Sequence, residues 1–326
     1  MEKQINWGMI GCGDVTEKKS APSFNKIDHS SLAGVTSRSK EKAVDYAKRH
    51  GVPRVFNTAE ELIGDDNINA VYIATPPSSH AEYAIQAMMA GKPVYVEKPM
   101  AATYEDCVRM NEVSRDCNVP LFVAYYRRSM DYFLKVRELL SQHVIGKPIL
   151  CRSSLHVQAR EEDYQADDLP WRVVPEISGG GYFHDMGCHG LDILLYLFGE
   201  LKSAAGYAGN LGGLYKAEDT VIASIEFESG LLYNGSWCFA ASEGSECDEI
   251  ELIGVQGSLK FSCFGFTPIL VINSEGRTEY PVKAPVHVQY PMIKAIVEEL
   301  RGQGRSPSHG KSAARVNWLM ERILGR

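Results

Sequence analysis

Between Gly179 and Asp192 the chain reads GGGYFHDMGCHGLD, which gathers His184, Asp185, Cys188, His189 and Asp192 within nine residues. Asp185, Cys188, His189 and Asp192 stand at i, i+3, i+4 and i+7, a spacing that puts four side chains on one face of a helix. Three readings are open to such a face. Imidazole, thiolate and carboxylate groups are zinc or iron ligands. Asp185 beside His189 makes an acid/base pair in which the carboxylate orients the imidazole. The third reading is a polar first turn on a helix whose continuation, LDILLYLFG, is buried, and that requires no chemistry.

A second group of candidates lies in the first half. Glu97-Lys98-Pro99 closes a short apolar run. A lysine at the carboxyl end of a buried strand would point into a ligand crevice, where desolvation and neighbours lower its pKa toward a useful range. A surface lysine beside a loop proline is the alternative. His80 follows Thr75-Pro76-Pro77 and either faces a ligand from the first turn of a helix or is solvated there. Gly11-Cys12-Gly13-Asp14-Val15-Thr16 follows an apolar strand, as in a dinucleotide turn whose first glycine makes the bend and whose second admits the pyrophosphate. Thr16 stands where a third glycine would be, so the motif is incomplete. After the second strand comes Ser37-Arg38-Ser39-Lys40, with no carboxylate for a ribose 2′-hydroxyl and nothing to repel a 2′-phosphate. Arg38 would pair with that phosphate or stack on adenine, which favours NADP over NAD. On the other reading Ser39 only caps the next helix, with Arg38 and Lys40 solvated.

The elements that must hold these residues follow from periodicity. The order is strands at Ile5 to Gly11, Leu32 to Thr36, Ile68 to Thr75, Pro93 to Glu97 and Leu121 to Tyr125, with helices at Lys40 to His50, from Ser79 to Gly91 and at Thr103 to Asn118. Ser79 with Glu82 reads as a capping box, and Pro22 predicts a broken or late first helix. This alternation predicts a doubly wound parallel sheet that binds ligands at the carboxyl ends of its strands. Later, a helix at Ser129 to Gln142 precedes a strand at Ile149 to Val157, and Tyr126-Arg127-Arg128 border a site, or the two arginines are solvated or paired with acids. Arg160 to Asp168 reads as an exposed loop, with a lid beside the substrate as the alternative. Thr220 to Phe227 and Leu231 to Phe239 alternate around Ser229-Gly230 as a hairpin. Strands at Glu249 to Ile253, Ser258 to Cys263, Pro268 to Ile272 and Thr278 to Val282 extend a largely antiparallel sheet, and helices at Val288 to Arg301 and Lys311 to Leu324 close the chain. The fold class is α/β with two domains, a dinucleotide-binding domain over 1–124 and an α+β substrate-binding and oligomerisation domain over 125–326.

With 326 residues, 44% of them hydrophobic and 23% charged, the composition is that of a globular protein. A net charge of -7 disfavours a nucleic-acid surface. The eight cysteines are scattered with no CxxC pair and read as reduced, packed thiols. No apolar run reaches the about 20 residues that span a bilayer, and no signal-peptide h-region stands at the start, so no membrane association and a cytoplasmic location are expected.

TPPSSH at 75–80, AGKPVYVEKP at 90–99, Trp171-Arg172, and GGGYFHDMGCHGLD at 179–192, with the glycine turn at 11–13, occur in an order that resembles the Gfo/Idh/MocA oxidoreductases. The resemblance covers essentially the whole chain. It implies hydride exchange between a nicotinamide and a sugar or polyol, with a Rossmann domain followed by an α+β domain whose large sheet covers the cofactor. It implies that Lys98 is the catalytic lysine, that Asp185 and His189 of the DxGxH motif are the substrate-side pair, and that Glu97 and Pro99 shape the lysine loop, with a cis Lys98-Pro99 bond. Gly11, Gly13, Asp14, Val15, Ser37, Arg38, Thr75, Pro76, His80, Glu97, Lys98, Trp171 and Arg172 become the cofactor contacts. In that setting Gly179 to Gly181 give the chain room beside the cofactor, Cys188 and Asp192 become packing residues, and no metal is expected. A homodimer or homotetramer through the second sheet is expected because one face of that sheet has no helices to cover it. A nonredox regulator and a glycosidase that uses NAD transiently are the rival functions on the same fold.

Overall fold

The computed structural model describes residues 3–326. Its first strand, β1 (Ile5–Ile10), is buried at almost every position because strands flank it and side chains cover both faces. It pairs in parallel with β2 (Ser30–Thr36) and β3 (Ala70–Ile73), and β4 (Val94–Val96) and β5 (Leu121–Val123) follow in the order β2-β1-β3-β4-β5. The connections are the helices α1 (Asp14–Lys18), α2 (Lys40–His50), α3 (Ala59–Gly64), α4 (His80–Met89) and α5 (Tyr104–Asp116). The strand order reverses between β1 and β3, so their carboxyl ends flank the crevice where such sheets bind ligands.

Local chemistry explains the helix ends. Ser39 accepts from Lys42 N at the start of α2, Thr103 accepts from Asp106 N at the start of α5, and Gly51 ends α2 in the left-handed region at φ 66. The first helix is broken as expected: α1 stops at Lys18, and Pro22 sits in a 3-10 turn over Ala21–Lys26. The capping box at Ser79 and Glu82 does not form. A 3-10 turn, Pro77–Ser79, runs straight into α4, so Ser79 takes a helical conformation and its hydroxyl donates to Thr75 Oγ1 and Pro76 O.

The second sheet begins after α6 (Asp131–Ser141) with β6 (Pro148–His156). After α7 (Pro175–Ser178), a π-helical turn over Phe183–Gly187 and α8 (Cys188–Phe198) come β7 (Leu201–Gly209), β8 (Thr220–Phe227), β9 (Leu232–Cys238), β10 (Cys247–Gly254), β11 (Gly257–Phe261), β12 (Ile269–Asn273) and β13 (Gly276–Tyr280). Their order is β13-β12-β11-β10-β6-β9-β8-β7, antiparallel except for the parallel β6–β9 pair. Phe183 on Trp237 and Phe198 on Phe227 pack α8 and the turn before it onto one face of the sheet. The edge strand β7 had no sequence signal, because SAAGYAG lacks the bulky alternation that marks β8 and β9. The segment 160–168 is not simply exposed: Asp163 is fully buried and accepts from Tyr182 Oη and Arg160 N at 2.7 and 2.8 Å.

Two compact units result. One holds residues 3–130 with 285–317, and the other holds 131–284 with 318–326. The helix α9 (Tyr290–Leu300) therefore belongs with the parallel sheet, although the sequence reading had put everything after residue 124 in the second domain. The last helix, α10 (Gly310–Ile323), contributes to both units. Among the described residues, no helix is long and apolar enough to cross a membrane.

Candidate functional site

In the first unit the turn after β1 has the shape a dinucleotide needs. Gly11 sits at φ +103, and a Cβ there would come within 2.6 Å of Ala74 O, so only glycine lets the turn pass the end of β3. Gly13 is the opposite case: no atom lies within 4 Å of where its Cβ would be, and the space over the start of α1 is open. Asp14 and Val15 form that first turn. A pyrophosphate fits such a cradle, since backbone can approach it where side chains are missing. Thr16, standing where a third glycine would be, keeps the turn closely packed. It is fully buried, its hydroxyl donates to Gly13 O at 2.7 Å, and its carbonyl accepts from Tyr46 Oη. Ser37 and the exposed Arg38 follow β2, one residue before the Ser39 cap, so Arg38 lies free to meet a group bound at that edge.

The Lys98 turn is anchored from below. Trp7, Phe24, Tyr72 and Tyr95 pack ring on ring, with neighbouring centroids 5.0, 5.3 and 5.1 Å apart. The polar ends of that row converge on Glu97. Tyr72 Oη and Gln289 Nε2 donate to its Oε1 at 2.6 and 2.7 Å, while Tyr95 Oη donates to Gln289 Oε1 at 2.7 Å. Burial and the adjacent carboxylate push the Tyr72 and Tyr95 hydroxyls well above the usual phenol range, which keeps them donors. Glu97 is only 5% exposed, so this carboxylate serves the turn and is not presented to a cofactor as the resemblance implied. The Lys98-Pro99 bond is cis.

His80 also departs from expectation. It is fully buried, with Nε2 at 2.8 Å from Thr75 O and Nδ1 at 3.1 and 3.3 Å from Pro99 O and Met100 O. Both ring nitrogens face backbone carbonyls, and the one that carries the proton of the neutral ring donates to them, so the imidazole sits wedged between the Thr75-Pro76 loop after β3 and the Lys98-Pro99 turn after β4. It neither faces a ligand nor meets solvent. Burial lowers its pKa, against the opposing effect of these carbonyls.

In the second unit the DxGxH stretch is not a plain helical face. Asp185 lies in the π turn and His189 in the first turn of α8, so the regular i, i+4 spacing does not apply between them. Asp185 pairs with Arg172, Nε to Oδ2 at 3.3 Å, and the Arg172 guanidinium lies 4.6 Å from the ring of Trp171. His189 is 4% exposed, and its ring meets that of Phe264 edge to face at 5.7 Å. Cys188 and Asp192 are buried, and Cys188 Sγ donates to Asp185 O. Among the described residues no three His, Cys, Asp or Glu side chains gather as a metal-binding group. The glycines at 179–181 make room for their own unit: a Cβ on Gly180 would lie 2.3 Å from the His184 ring, and one on Gly181 would lie 2.5 Å from Ala217.

The glycine cradle and the crevice between β1 and β3 define a dinucleotide-binding fold. Residues 5–125 match the oxidoreductase family with an NAD-binding Rossmann fold, and residues 133–260 match the GFO/IDH/MocA C-terminal domain. The chain belongs to the Gfo/Idh/MocA family of NAD(P)-dependent oxidoreductases. It is 39% identical, over the full length of both chains, to Oxidoreductase P35 of Formosa agariphila. It is 26% identical to the 1,5-anhydro-D-fructose reductase of Ensifer adhaerens, over 94% of this chain and 91% of that one. The aldose-aldose oxidoreductase of Caulobacter crescentus, solved with glycerol, shares the fold at a TM-score of 0.86 and 21% identity, over 98% and 96% of the two chains.

Three residues that touch the candidate residues Glu97 and His189 are not singled out by the sequence. Gln289 and Tyr72 act through Glu97, and no local pattern links positions that distant. Phe264 sits in the loop after β11, and its phenylalanine-glycine-phenylalanine run was the one available signal.

Proposed function

We propose that the protein is a sugar or polyol dehydrogenase that prefers NADP to NAD. The observation that carries this reading is the Lys98 turn, wedged by His80 and seated on the buried Glu97–Gln289 pair, at the same sheet edge as the glycine cradle. So much structure beneath one lysine turn makes sense where the ammonium must meet a ligand in a fixed place. Bound in that cradle, a nicotinamide cofactor gives or takes the hydride at a carbinol or carbonyl carbon. Gly11, Gly13, Asp14 and Val15 would hold its pyrophosphate, and Ser37 and Arg38 its adenosine end, where a guanidinium favours a 2′-phosphate. Thr75, Pro76 and Lys98 would border the nicotinamide, and the family resemblance adds Trp171 and Arg172 as cofactor contacts.

Hydride exchange leaves the oxygen with a proton to gain or lose, and Lys98 and His189 are the groups suited to move it. Asp185 accepts from a substrate hydroxyl or orients the imidazole, its charge balanced by Arg172. The substrate class rests on the relatives acting on anhydro-sugars, aldoses and inositols. The exposed sheet face of the second unit suits a homodimer or a homotetramer, with a second copy of the chain as the partner.

The test is a panel of sugars, anhydro-sugars and cyclitols, followed at the nicotinamide absorbance with NADP and with NAD. Net cofactor turnover on at least one member, faster with NADP, is the expected result. Sugar release without net turnover would point to a glycosidase. Tight cofactor binding with no reaction on any member would point to a regulator, and either result overturns the proposal.

A further inference from the structure

The loop between β11 and β12 is held in place far more firmly than a surface connection requires. The Asp248 carboxylate, at the start of β10, accepts the backbone N–H groups of Cys263, Phe264 and Gly265 at 2.8, 2.7 and 2.8 Å. Hydrogen bonds to an ionised acceptor are the strong ones, and three on one carboxylate fix the path of the chain. The other end is fastened by Tyr132, whose hydroxyl accepts from Ser262 N at 3.0 Å and donates to Thr267 O at 2.8 Å. Between them Phe266 takes φ 47, a conformation an aromatic residue adopts only when its surroundings impose it. Its ring packs edge-on against Tyr132 at 5.4 Å, which accounts for the strain being tolerated.

What this loop presents is Phe264. The ring is neither buried as a core residue would be nor left in open solvent, and it stands edge to face with His189 at 5.7 Å and 81°. An imidazole turns easily about its outer torsion unless something packs against its face or edge. We infer that Phe264 is a positioning residue that fixes the rotation of the His189 ring, and that Asp248 acts on His189 through Phe264. The inference rests on the proposed role of His189 at the reacting oxygen, because a general acid/base must keep one nitrogen aimed at its target.

Two measurements separate the inference from the reading beneath it. The first follows the imidazole ring signals of histidine-labelled protein, with His189→Ala identifying the His189 resonance. Phe264→Ala, and to a lesser degree Asp248→Asn, should broaden that resonance by exchange between ring orientations, over and above the shift that loss of the ring current alone produces. Phe264→Leu should do the same in a loop of nearly unchanged volume, while Phe264→Tyr should leave it sharp. The second measures kcat and KM on the best substrate of the panel. Phe264→Ala and Phe264→Leu should lower kcat about tenfold with little change in cofactor affinity, and Phe264→Tyr should stay within about twofold of the parent. The Asp248→Asn/Phe264→Ala double variant should be no slower than Phe264→Ala alone. A His189 signal that stays sharp in Phe264→Ala overturns the inference, and so do kcat losses that add in the double variant. Full turnover in His189→Ala would instead remove the catalytic reading, and the ring signal would still decide the positioning.

Discussion

Lys98 and His189 differ in how the chain holds them. Lys98 owes its place to its backbone turn, since Glu97 is bonded by Tyr72 and Gln289 and the carbonyls of Pro99 and Met100 face His80. His189 is held by its own buried ring. If both move the substrate proton, Lys98→Ala and His189→Ala should each lower kcat at least about tenfold, while NADP(H) titrated by fluorescence still binds. Near-normal turnover in both variants would refute the assigned roles. Arg38 makes a different kind of contribution. If the exposed Arg38 guanidinium meets the adenosine end as proposed, it matters to a 2′-phosphate and hardly at all to a 2′-hydroxyl, so Arg38→Ala should weaken NADPH far more than NADH. Equal losses for the two cofactors would rule out the NADP preference.

At the scale of the element, the segment from Gly179 into α8 depends on a close fit among its own residues. Gly180 sits at φ +157 with the His184 ring where a Cβ would go. Gly180→Ala should therefore cost roughly 2 kcal/mol, combining backbone strain with overpacking, and lower the melting temperature accordingly. A variant as stable as the parent would show that the ring moves aside freely. His184 gives the same segment a pH dependence. Burial pushes its pKa down to about 4, while the unfolded chain titrates near 6.5. Below 6.5 the unfolded state takes up a proton that the native state refuses. Stability is thus fully present above 6.5 and falls as pH drops toward 4, by up to roughly 3 kcal/mol. Urea midpoints measured across that window should drop in the parent and drop less in His184→Asn; parallel curves would sink the assignment.

For the whole molecule the open question of assembly turns on the outer face of the large sheet. Leu150 pairs with Leu232, and Tyr207 with Ile222, on the same face of neighbouring strands. These side chains are 36%, 54%, 81% and 51% exposed. Adjacent apolar side chains left bare on a flat sheet are the usual mark of a surface that binds a partner. If a second copy covers them, Ile222→Arg combined with Leu232→Arg should convert an oligomer to a monomer by sedimentation, with the circular dichroism of the fold retained. A parent chain that already sediments as a monomer would end that proposal.

Much of this protein is written in local pattern. The five parallel strands, the breaks at Pro22 and Gly51, the hairpin around Gly230 and the DxGxH and EKP motifs all follow from spacing and turn chemistry, which act over a few residues. The Lys98 turn was legible for the same reason, whereas its cis proline was an implication of the family resemblance. What the linear chain did not disclose are relations between distant residues. Only folding puts Gln289 under Glu97, turns His80 from a possible ligand contact into a wedge between two loops, places Asp185 in a π turn ahead of His189, and sets Phe264 against the His189 ring. Each depends on which buried polar group finds a partner once the core has closed, and that choice is made by the packing of whole elements and not by any neighbouring residue.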